Sequence, residues 1–416
     1  MTGHRRVALV VVLAAGGLFV VLAALGVPWD PVPGARPPAA DADSVFSAAE
    51  LSRAEAYSGT ARLWSRLSLV ASLAVALLLG FTRAGRWLVG RLPGPWWVGV
   101  PLAAVAVLVV GRLATLPFSA ASRVNALRYG LTEQGWGAWS VDVLVSLGVE
   151  AVATSLALLV LLGVRRRLPT AWPAVAGVLM AALVLGASFA YPVVVEPLRN
   201  DFTSLPDGAL RTEILDVARE EGIAVDDVLV ADASRRTTTL NAYVSGFGGT
   251  RRVVVYDTLV GGLETPEVVS VVAHELAHAR HDDVLVGSVL GAAGAALGAG
   301  LLGLLLPGRR RRGEDASEPG DRADEVLLVP RVLGLVAVAV LVSTPVQSTI
   351  SRQIELRADV DALCVTRDPE AFERLQTMLA VRSLADPEPA GWSQVVFGTH
   401  PTALQRIGLA RGLDCG

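Results

Sequence analysis

The stretch TPEVVSVVAHELAHAR, residues 265–280, predicts a helix that carries two histidines on one face. Thr265 is expected to cap this helix, because a threonine followed by a proline is a common helix start. Residues four apart share a helical face, so His274 and His278 can both reach one metal ion. Glu275 can reach a water molecule beside that ion and take its proton as a general base. The same five-residue pattern also arises by chance, as a polar helix face with two surface histidines.

A hydrolytic metal site needs a third protein ligand and an open position for water. Among the five histidines of the chain, only His281 and His400 are otherwise placed to compete for that role. The favoured candidate is the carboxylate of Glu355, which follows the last apolar stretch. Asp359 comes one helical turn later and could accept a hydrogen bond from a ligating histidine or from an arginine. Alternatively, both acids are ordinary surface charges at a helix end.

The composition indicates a membrane protein. Apolar residues make up 52% of the 416 residues and charged residues only 18%, and the mean hydropathy is +0.51. Such values are typical of a chain that spends much of its length in hydrocarbon. Seven apolar stretches are long enough to cross a bilayer, which takes about 20 helical residues. They lie near residues 7–27, 63–82, 97–117, 143–164, 172–195, 284–306 and 326–346.

The arginines predict the orientation of these spans, because basic residues concentrate in cytoplasmic loops. Clusters near residues 5–6, 83–91, 165–167 and 309–322 all fall on one side if the spans alternate. The N-terminus is therefore expected in the cytoplasm, and the residues around both histidines and Glu355 outside it. The basic residues are all arginines, which suggests a G+C-rich bacterial genome and a bacterial plasma membrane. The net charge of −3 gives no sign of a nucleic-acid partner.

The two cysteines, Cys364 and Cys415, are too few for a cysteine-rich zinc site. They could form one bridge if their segment lies outside the reducing cytosol. Two unpaired thiols are equally compatible with the sequence.

The segment before the histidine helix has the character of a soluble domain. A helix is predicted over residues 210–221, a short strand over 228–230 and a valine-rich strand over 251–259. Between the strands, Asn241-Ala242-Tyr243 precedes a glycine-rich turn at residues 246–249.

The order of these motifs resembles the type I CaaX prenyl endopeptidase family, the zinc proteases of eukaryotic membranes that convert a-factor. The resemblance extends from the third span to the C-terminus. The matching pieces are PFS at 117–119, RYGL at 128–131, FTSLP at 202–206, NAY at 241–243, the strand ending in YDTL at 259, HELAH at 274–278, ELRAD at 355–359 and THP at 399–401.

The resemblance implies a role for each matching residue. Glu355 would be the third ligand of one zinc ion per chain, and Asp359 the acid that supports the site. His400 would stabilise the oxyanion that forms during peptide hydrolysis, and Arg406 would pair with Asp359. Asn241, Ala242 and Tyr243 would contact the substrate, and their strand could pair with an extended peptide.

The expected fold is mainly α and polytopic, with about seven transmembrane helices and a small α+β zinc-metallopeptidase domain of the gluzincin type. Residues 1–195 are expected to form five spans, and 284–346 a hairpin of two more. Residues 196–283 and 347–416 would then supply the two parts of the peptidase. The expected substrate is a peptide or protein, most readily one associated with the lipid bilayer.

Other functions share part of this pattern. A quality-control protease of the heat-shock type also has both motifs, but fewer spans before them. A membrane sensor with a zinc domain usually adds a ligand-binding domain after its last span. A transporter would account for Arg112 and Glu150 within or at the edges of spans, but not for the histidine and carboxylate motifs.

Overall fold

A computed structural model of the protein describes residues 3–245, 251–307 and 320–415. Within these ranges, seven helices are long and apolar enough to cross a membrane, as predicted. They are Gly3–Gly26, Ala48–Phe81, Trp96–Tyr129, Trp136–Arg167, Trp172–Leu198, Asp283–Leu305 and Asp324–Thr366. The glycine-rich turn at 246–249 and the arginines at 309–312 lie outside the described residues. The predicted mainly α fold is confirmed.

The elements are numbered in chain order. The helices are α1 (Gly3–Gly26), α2 (Ala42–Val45), α3 (Ala48–Phe81), α4 (Arg83–Val89), α5 (Trp96–Tyr129), α6 (Trp136–Arg167), α7 (Trp172–Ala190), α8 (Ala209–Glu220), α9 (Asp257–Val260), α10 (Thr265–Arg280), α11 (Asp283–Leu305), α12 (Gly320–Thr366), α13 (Pro369–Ser383), α14 (Gly391–Phe397) and α15 (Ala403–Gly412). A π-helical turn, Tyr191–Val195, and a 3-10 turn, Glu196–Leu198, prolong α7. The strands are β1 (Phe202–Ser204), β2 (Asp227–Ala231), β3 (Ala242–Ser245) and β4 (Arg252–Tyr256).

The described strands form one sheet in the order β1-β2-β4-β3. Strands β2 and β4 run parallel in its centre, whereas β1 and β3 run antiparallel to their neighbours at its edges. The valine-rich strand is shorter than predicted, because the chain turns into α9 at Asp257. The Asp257 carboxylate accepts hydrogen bonds from the backbone N–H groups of Ser234 and Thr258, at 2.9 and 2.8 Å. Aspartate favours such helix starts over strands.

Helix α10 packs across this sheet through an apolar face. Val268, Val272 and Leu276 of α10 are at most 1% exposed and belong to one core with Val253 and Val255 of β4. Burying each such side chain contributes roughly 1.5–3 kcal/mol. The helix begins one residue earlier than predicted, because Thr265 is already helical and Glu264 is the N-cap residue.

Helix α12 is one continuous helix of 47 residues that includes both the last predicted span and the acidic motif. The sequence predicts the span and the acidic motif as separate segments. Between Pro345 and Arg367 the sequence contains no glycine or proline that would interrupt the helix. At Arg367 the backbone adopts a left-handed conformation with φ 50°. Asp368 then caps α13 by accepting a hydrogen bond from the Ala371 N–H at 2.8 Å. Glu355 and Asp359 are therefore carried on an extension of the seventh membrane helix.

Small residues allow close packing among the membrane helices. A Cβ atom added at Gly303 of α11 would lie 2.7 Å from Ala8 Cβ of α1, and one added at Gly300 would lie 2.9 Å from a Val12 methyl group. At one end of the bundle, Arg165 of α6 and Glu325 of α12 form a buried ion pair at 2.8 Å. Helix contacts of this kind fix the membrane helices against one another.

Cys364 and Cys415 form a disulfide, which settles the two alternatives left by the sequence. The bond ties the segment after α15 to the last turns of α12.

Candidate metal centre

His274, His278 and Glu355 converge at the meeting of α10 and α12. The Nε2 atom of His274 lies 3.2 Å from a Glu355 carboxylate oxygen and 3.2 Å from Nε2 of His278. Nε2 of His278 lies 3.7 Å from the other Glu355 oxygen. In the described part of the chain, this is the one group of three histidine or acidic residues whose donor atoms could hold a metal ion. Two helices distant in sequence thus bring three donor atoms to one point.

A buried carboxylate orients the first imidazole. Nδ1 of His274 lies 2.9 Å from Asp359, whose side chain is 0% exposed. The Nε group of Arg406, on α15, donates to both Asp359 oxygens at 2.9 and 3.1 Å. When Nδ1–H of His274 donates to Asp359, Nε2 keeps its lone pair for a metal ion. Asp359 thus contacts both the His274 imidazole and the Arg406 guanidinium.

A second carboxylate orients the other imidazole, and sequence reasoning missed it. Nδ1 of His278 lies 2.9 Å from Asp283, the first residue of α11. Asp283 also pairs with Arg357 of α12. Asp282 has a φ of 51°, so the helical conformation is interrupted between α10 and α11. The available signal was an acid directly after the histidine helix, but helical spacing did not place it on the histidine face.

His400 lies at the open side of the cluster. Its Nε2 is 3.3 Å from a Glu355 oxygen, and its side chain is 57% exposed. The Thr399 hydroxyl lies 2.9 Å from its Nδ1. The imidazole can therefore reach a molecule that enters the site from solvent.

Glu275 is partly exposed beside the two histidines. Burial raises the pKa of its carboxyl group, and the neighbouring imidazoles offset only part of that effect. Among the described residues its carboxylate has no hydrogen-bond partner. A carboxylate that is basic and unoccupied in this way is suited to accept a proton.

His281 is directed to a different acid. Its Nε2 atom lies 2.6 Å from an oxygen of Asp361, whereas the donor cluster is formed by the other two histidines of α10. The structure therefore gives His281 a structural contact between α10 and α12.

The Asn241–Tyr243 segment enters the edge strand β3. The Asn241 carbonyl accepts a hydrogen bond from the Tyr256 N–H at 3.0 Å, and Ala242 is buried against the core. Strand β3 pairs with β4 on one side, and it also lies beside α10. Its other side is where an extended peptide could pair.

The donor set fits a divalent metal ion. Two imidazole nitrogens and one carboxylate oxygen are the protein ligands of one common class of catalytic zinc site. Burial by itself lowers the pKa of His274, but hydrogen bonds with Asp359 and Glu355 outweigh it and raise the pKa. The centre thus favours a positive charge beside Nε2, and a divalent cation can supply that charge in place of a proton.

The chain is similar in sequence to known membrane proteases. Residues 204–413 match peptidase family M48, and residues 33–201 match the CAAX prenyl protease N-terminal domain of five membrane helices. The uncharacterized metalloprotease YhfN of Bacillus subtilis is 28% identical over 322 residues, or 77% of this chain and 75% of that protein. A rice CAAX prenyl protease 1 homolog is 30% identical over 246 residues, 56% of this chain and 55% of its own length.

The same fold has been solved by crystallography. The crystal structure of S. mikatae Ste24p superposes with a TM-score of 0.76, covering 98% of this chain and 99% of that one. The two chains are 21% identical, so this likeness concerns the fold.

Proposed function

The chain belongs to peptidase family M48 and is a membrane metalloprotease of the CAAX prenyl protease type, and we propose that it is a zinc endopeptidase with its catalytic centre at His274, His278 and Glu355. The observation that carries this proposal is the convergence of these three donor groups from α10 and α12. The five membrane helices before the peptidase segment favour this type over the heat-shock type.

In the proposed mechanism, the chain's own residues move the protons. When bound, the zinc ion supplies Lewis-acid polarisation of the scissile carbonyl and makes water at the site more acidic. Glu275 takes the proton from the attacking water and delivers it to the nitrogen of the leaving amine. His400, at the open side of the centre, donates a hydrogen bond to the oxygen that becomes negatively charged.

Other residues hold the centre and the substrate. Arg406 fixes Asp359, and Asp359 fixes the ring of His274. Asn241, Ala242 and Tyr243 present the edge of β3 to an extended peptide, which would add as a further strand. Backbone pairing of this kind binds a peptide without reading its sequence.

We further propose that the peptidase face lies outside the cytosol of a bacterial cell. The distribution of arginines supports this orientation. The Cys364–Cys415 disulfide supports it independently, because such bonds are rare in the reducing cytosol. A substrate in this orientation would be a membrane-associated or exported peptide or protein.

The test of the function compares purified wild type with Glu275→Gln, which removes the proposed base while keeping the shape of the side chain. We expect the variant to retain about one zinc per chain and to lose roughly 10²–10⁴-fold in kcat. Metal content is measured by mass spectrometry and turnover with a quenched fluorescent peptide. His278→Ala serves as the comparison, because it should lose both metal and turnover. Equal turnover in wild type and Glu275→Gln would remove Glu275 as the base.

A further inference from the structure

His400 lies in the loop that connects α14 to α15. His400 has a largely exposed side chain, and the polar partners of its ring among the described residues are Thr399 and Glu355. Its backbone is held by Gln394, whose Nε2 donates to the His400 carbonyl at 2.7 Å. The position of His400 therefore depends on what holds Gln394 and the end of α14.

Arg352 of α12 holds that end of α14. Its Nη1 donates to the carbonyl oxygens of Gln394 and Gly398, at 2.8 and 2.5 Å. Its Nη2 donates to the Thr349 hydroxyl at 2.9 Å, which anchors the guanidinium to its own helix. Both carbonyls belong to the C-terminal turn of α14, where a cation also complements the partial negative charge of the helix end.

Three observations set Arg352 apart from an ordinary surface arginine. Its side chain is partly buried, and no acidic residue pairs with it in the part of the chain that the structure describes. Its contacts from Nη1 both reach main-chain oxygens of the segment that leads to His400. It also lies three residues before Glu355, less than one turn of the same helix.

We propose that Arg352 is a positioning residue that couples the His400 loop to the helix carrying Glu355. Through the two carbonyl oxygens, Arg352 sets the distance of the His400 imidazole from the proposed metal-binding carboxylate. The guanidinium suits this role because its planar fork can hold two acceptors in fixed geometry. This inference rests on the proposed function, in which His400 stabilises the oxyanion.

The test uses Arg352→Gln, which removes the charge and the fork. Because a misplacement of about 1 Å can cost 10²-fold, we expect kcat to fall by roughly 10–100-fold. KM and the zinc content should stay near the wild-type values. Arg352→Lys, which can still reach one carbonyl, should recover part of the loss. If Arg352→Gln does not fold, the same measurements are made on Arg352→Lys instead.

The decisive comparison is made in the His400→Ala background. If Arg352 acts through His400, then Arg352→Gln should lower kcat by less than about twofold once His400 is gone, because coupled residues are not additive. Full additivity of the two losses would overturn the proposal.

An independent readout does not require turnover. In hydrogen-exchange mass spectrometry, Arg352→Gln should speed amide exchange in residues 394–400 and leave α10 unchanged. The matched control is Arg411→Gln, which removes a surface pair with Glu373 and should leave residues 394–400 as in wild type. Unchanged exchange in Arg352→Gln would overturn the proposal. If wild type has no peptidase activity, the proposed function fails, and exchange alone still decides whether Arg352 holds the loop.

Discussion

The Nδ1 atom of His278 lies 2.9 Å from a carboxylate oxygen of Asp283, which opens the next helix. The other oxygen of Asp283 pairs with Arg357 on α12. One carboxylate therefore links α10, α11 and α12 beside the candidate metal centre. The contact orients the imidazole and ties the centre to the membrane helices at the same time.

Loss of this contact should weaken metal binding. In Asp283→Asn the amide accepts a weaker hydrogen bond from His278, and we expect zinc affinity to fall about 10–100-fold. Affinity is measured by competition with a chromogenic chelator. Asp282→Asn is the matched control, because the exposed Asp282 pairs with Arg251 and not with a histidine. The role given to Asp283 would be wrong if both variants bound zinc as wild type does.

The disulfide should stabilise the fold of the peptidase segment. Cys364 and Cys415 are 51 residues apart, and closing a loop of this length restricts the unfolded chain by about 4 kcal/mol. The double variant Cys364→Ser/Cys415→Ser should therefore unfold at a clearly lower temperature by differential scanning fluorimetry. Wild type treated with a reductant should approach the same value. A variant as stable as the oxidised wild type would contradict this prediction.

The disulfide also reports the orientation. On intact cells, a membrane-impermeant reductant followed by an impermeant maleimide should label Cys364 and Cys415. Without the reductant, labelling should be absent. Labelling that requires permeabilised cells would place the peptidase face in the cytoplasm.

The buried pair between α6 and α12 should be sensitive to the loss of one partner. Arg165 and Glu325 are 5% and 1% exposed, so Glu325→Gln leaves a cation without its counter-charge. Breaking such a pair costs about 3–5 kcal/mol, whereas replacing both partners by apolar residues is often close to neutral. Thermal unfolding in detergent should therefore show Glu325→Gln below both wild type and Arg165→Leu/Glu325→Leu. The opposite order would show that the pair adds little.

Acid should weaken the sheet at Asp227. The Ser204 hydroxyl, at 2.5 Å, and Arg211, at 2.8 Å, hold the pKa of Asp227 below its ordinary value. A depressed pKa means that the stabilisation is present above the unfolded pKa, about 3.9, and is lost as pH falls through the lower folded pKa. The wild-type unfolding temperature should thus drop on acidification below about pH 4 more than that of Asp227→Asn. Asp226→Asn is the control, and an equal drop in Asp227→Asn would contradict the assignment.

The sequence predicted those features that depend on local spacing. The membrane spans follow from the length of the apolar stretches. The proximity of His274 and His278 follows from their spacing of four residues on one helix. The approach of Glu355 could be expected because two spans return the chain to the same side. Asp283 could not be expected, because its position depends on a turn with a left-handed residue and not on a helical repeat.

Two further differences between the sequence-based prediction and the structure also depend on features other than a regular spacing of residues. The early end of β4 depends on hydrogen bonds to the Asp257 side chain from a segment that is distant in sequence. The continuity of α12 depends on the absence of a breaker between Pro345 and Arg367, whereas hydropathy alone suggested an end at residue 346. The hydropathy pattern marks where the hydrocarbon ends, and the helix ends where its backbone is interrupted.

Because α12 is continuous, the candidate metal centre forms only when α12 docks against α10. One of these helices is anchored in the membrane and the other is packed on the sheet. The two imidazoles lie on α10, which packs against the sheet, whereas Glu355 lies on α12, which includes the seventh membrane-spanning segment. The soluble segment taken alone would present two donors and bind a metal ion only weakly. In the proposed zinc centre, the ion would therefore bind firmly only after α12 has docked against α10, and peptidase activity would depend on that step.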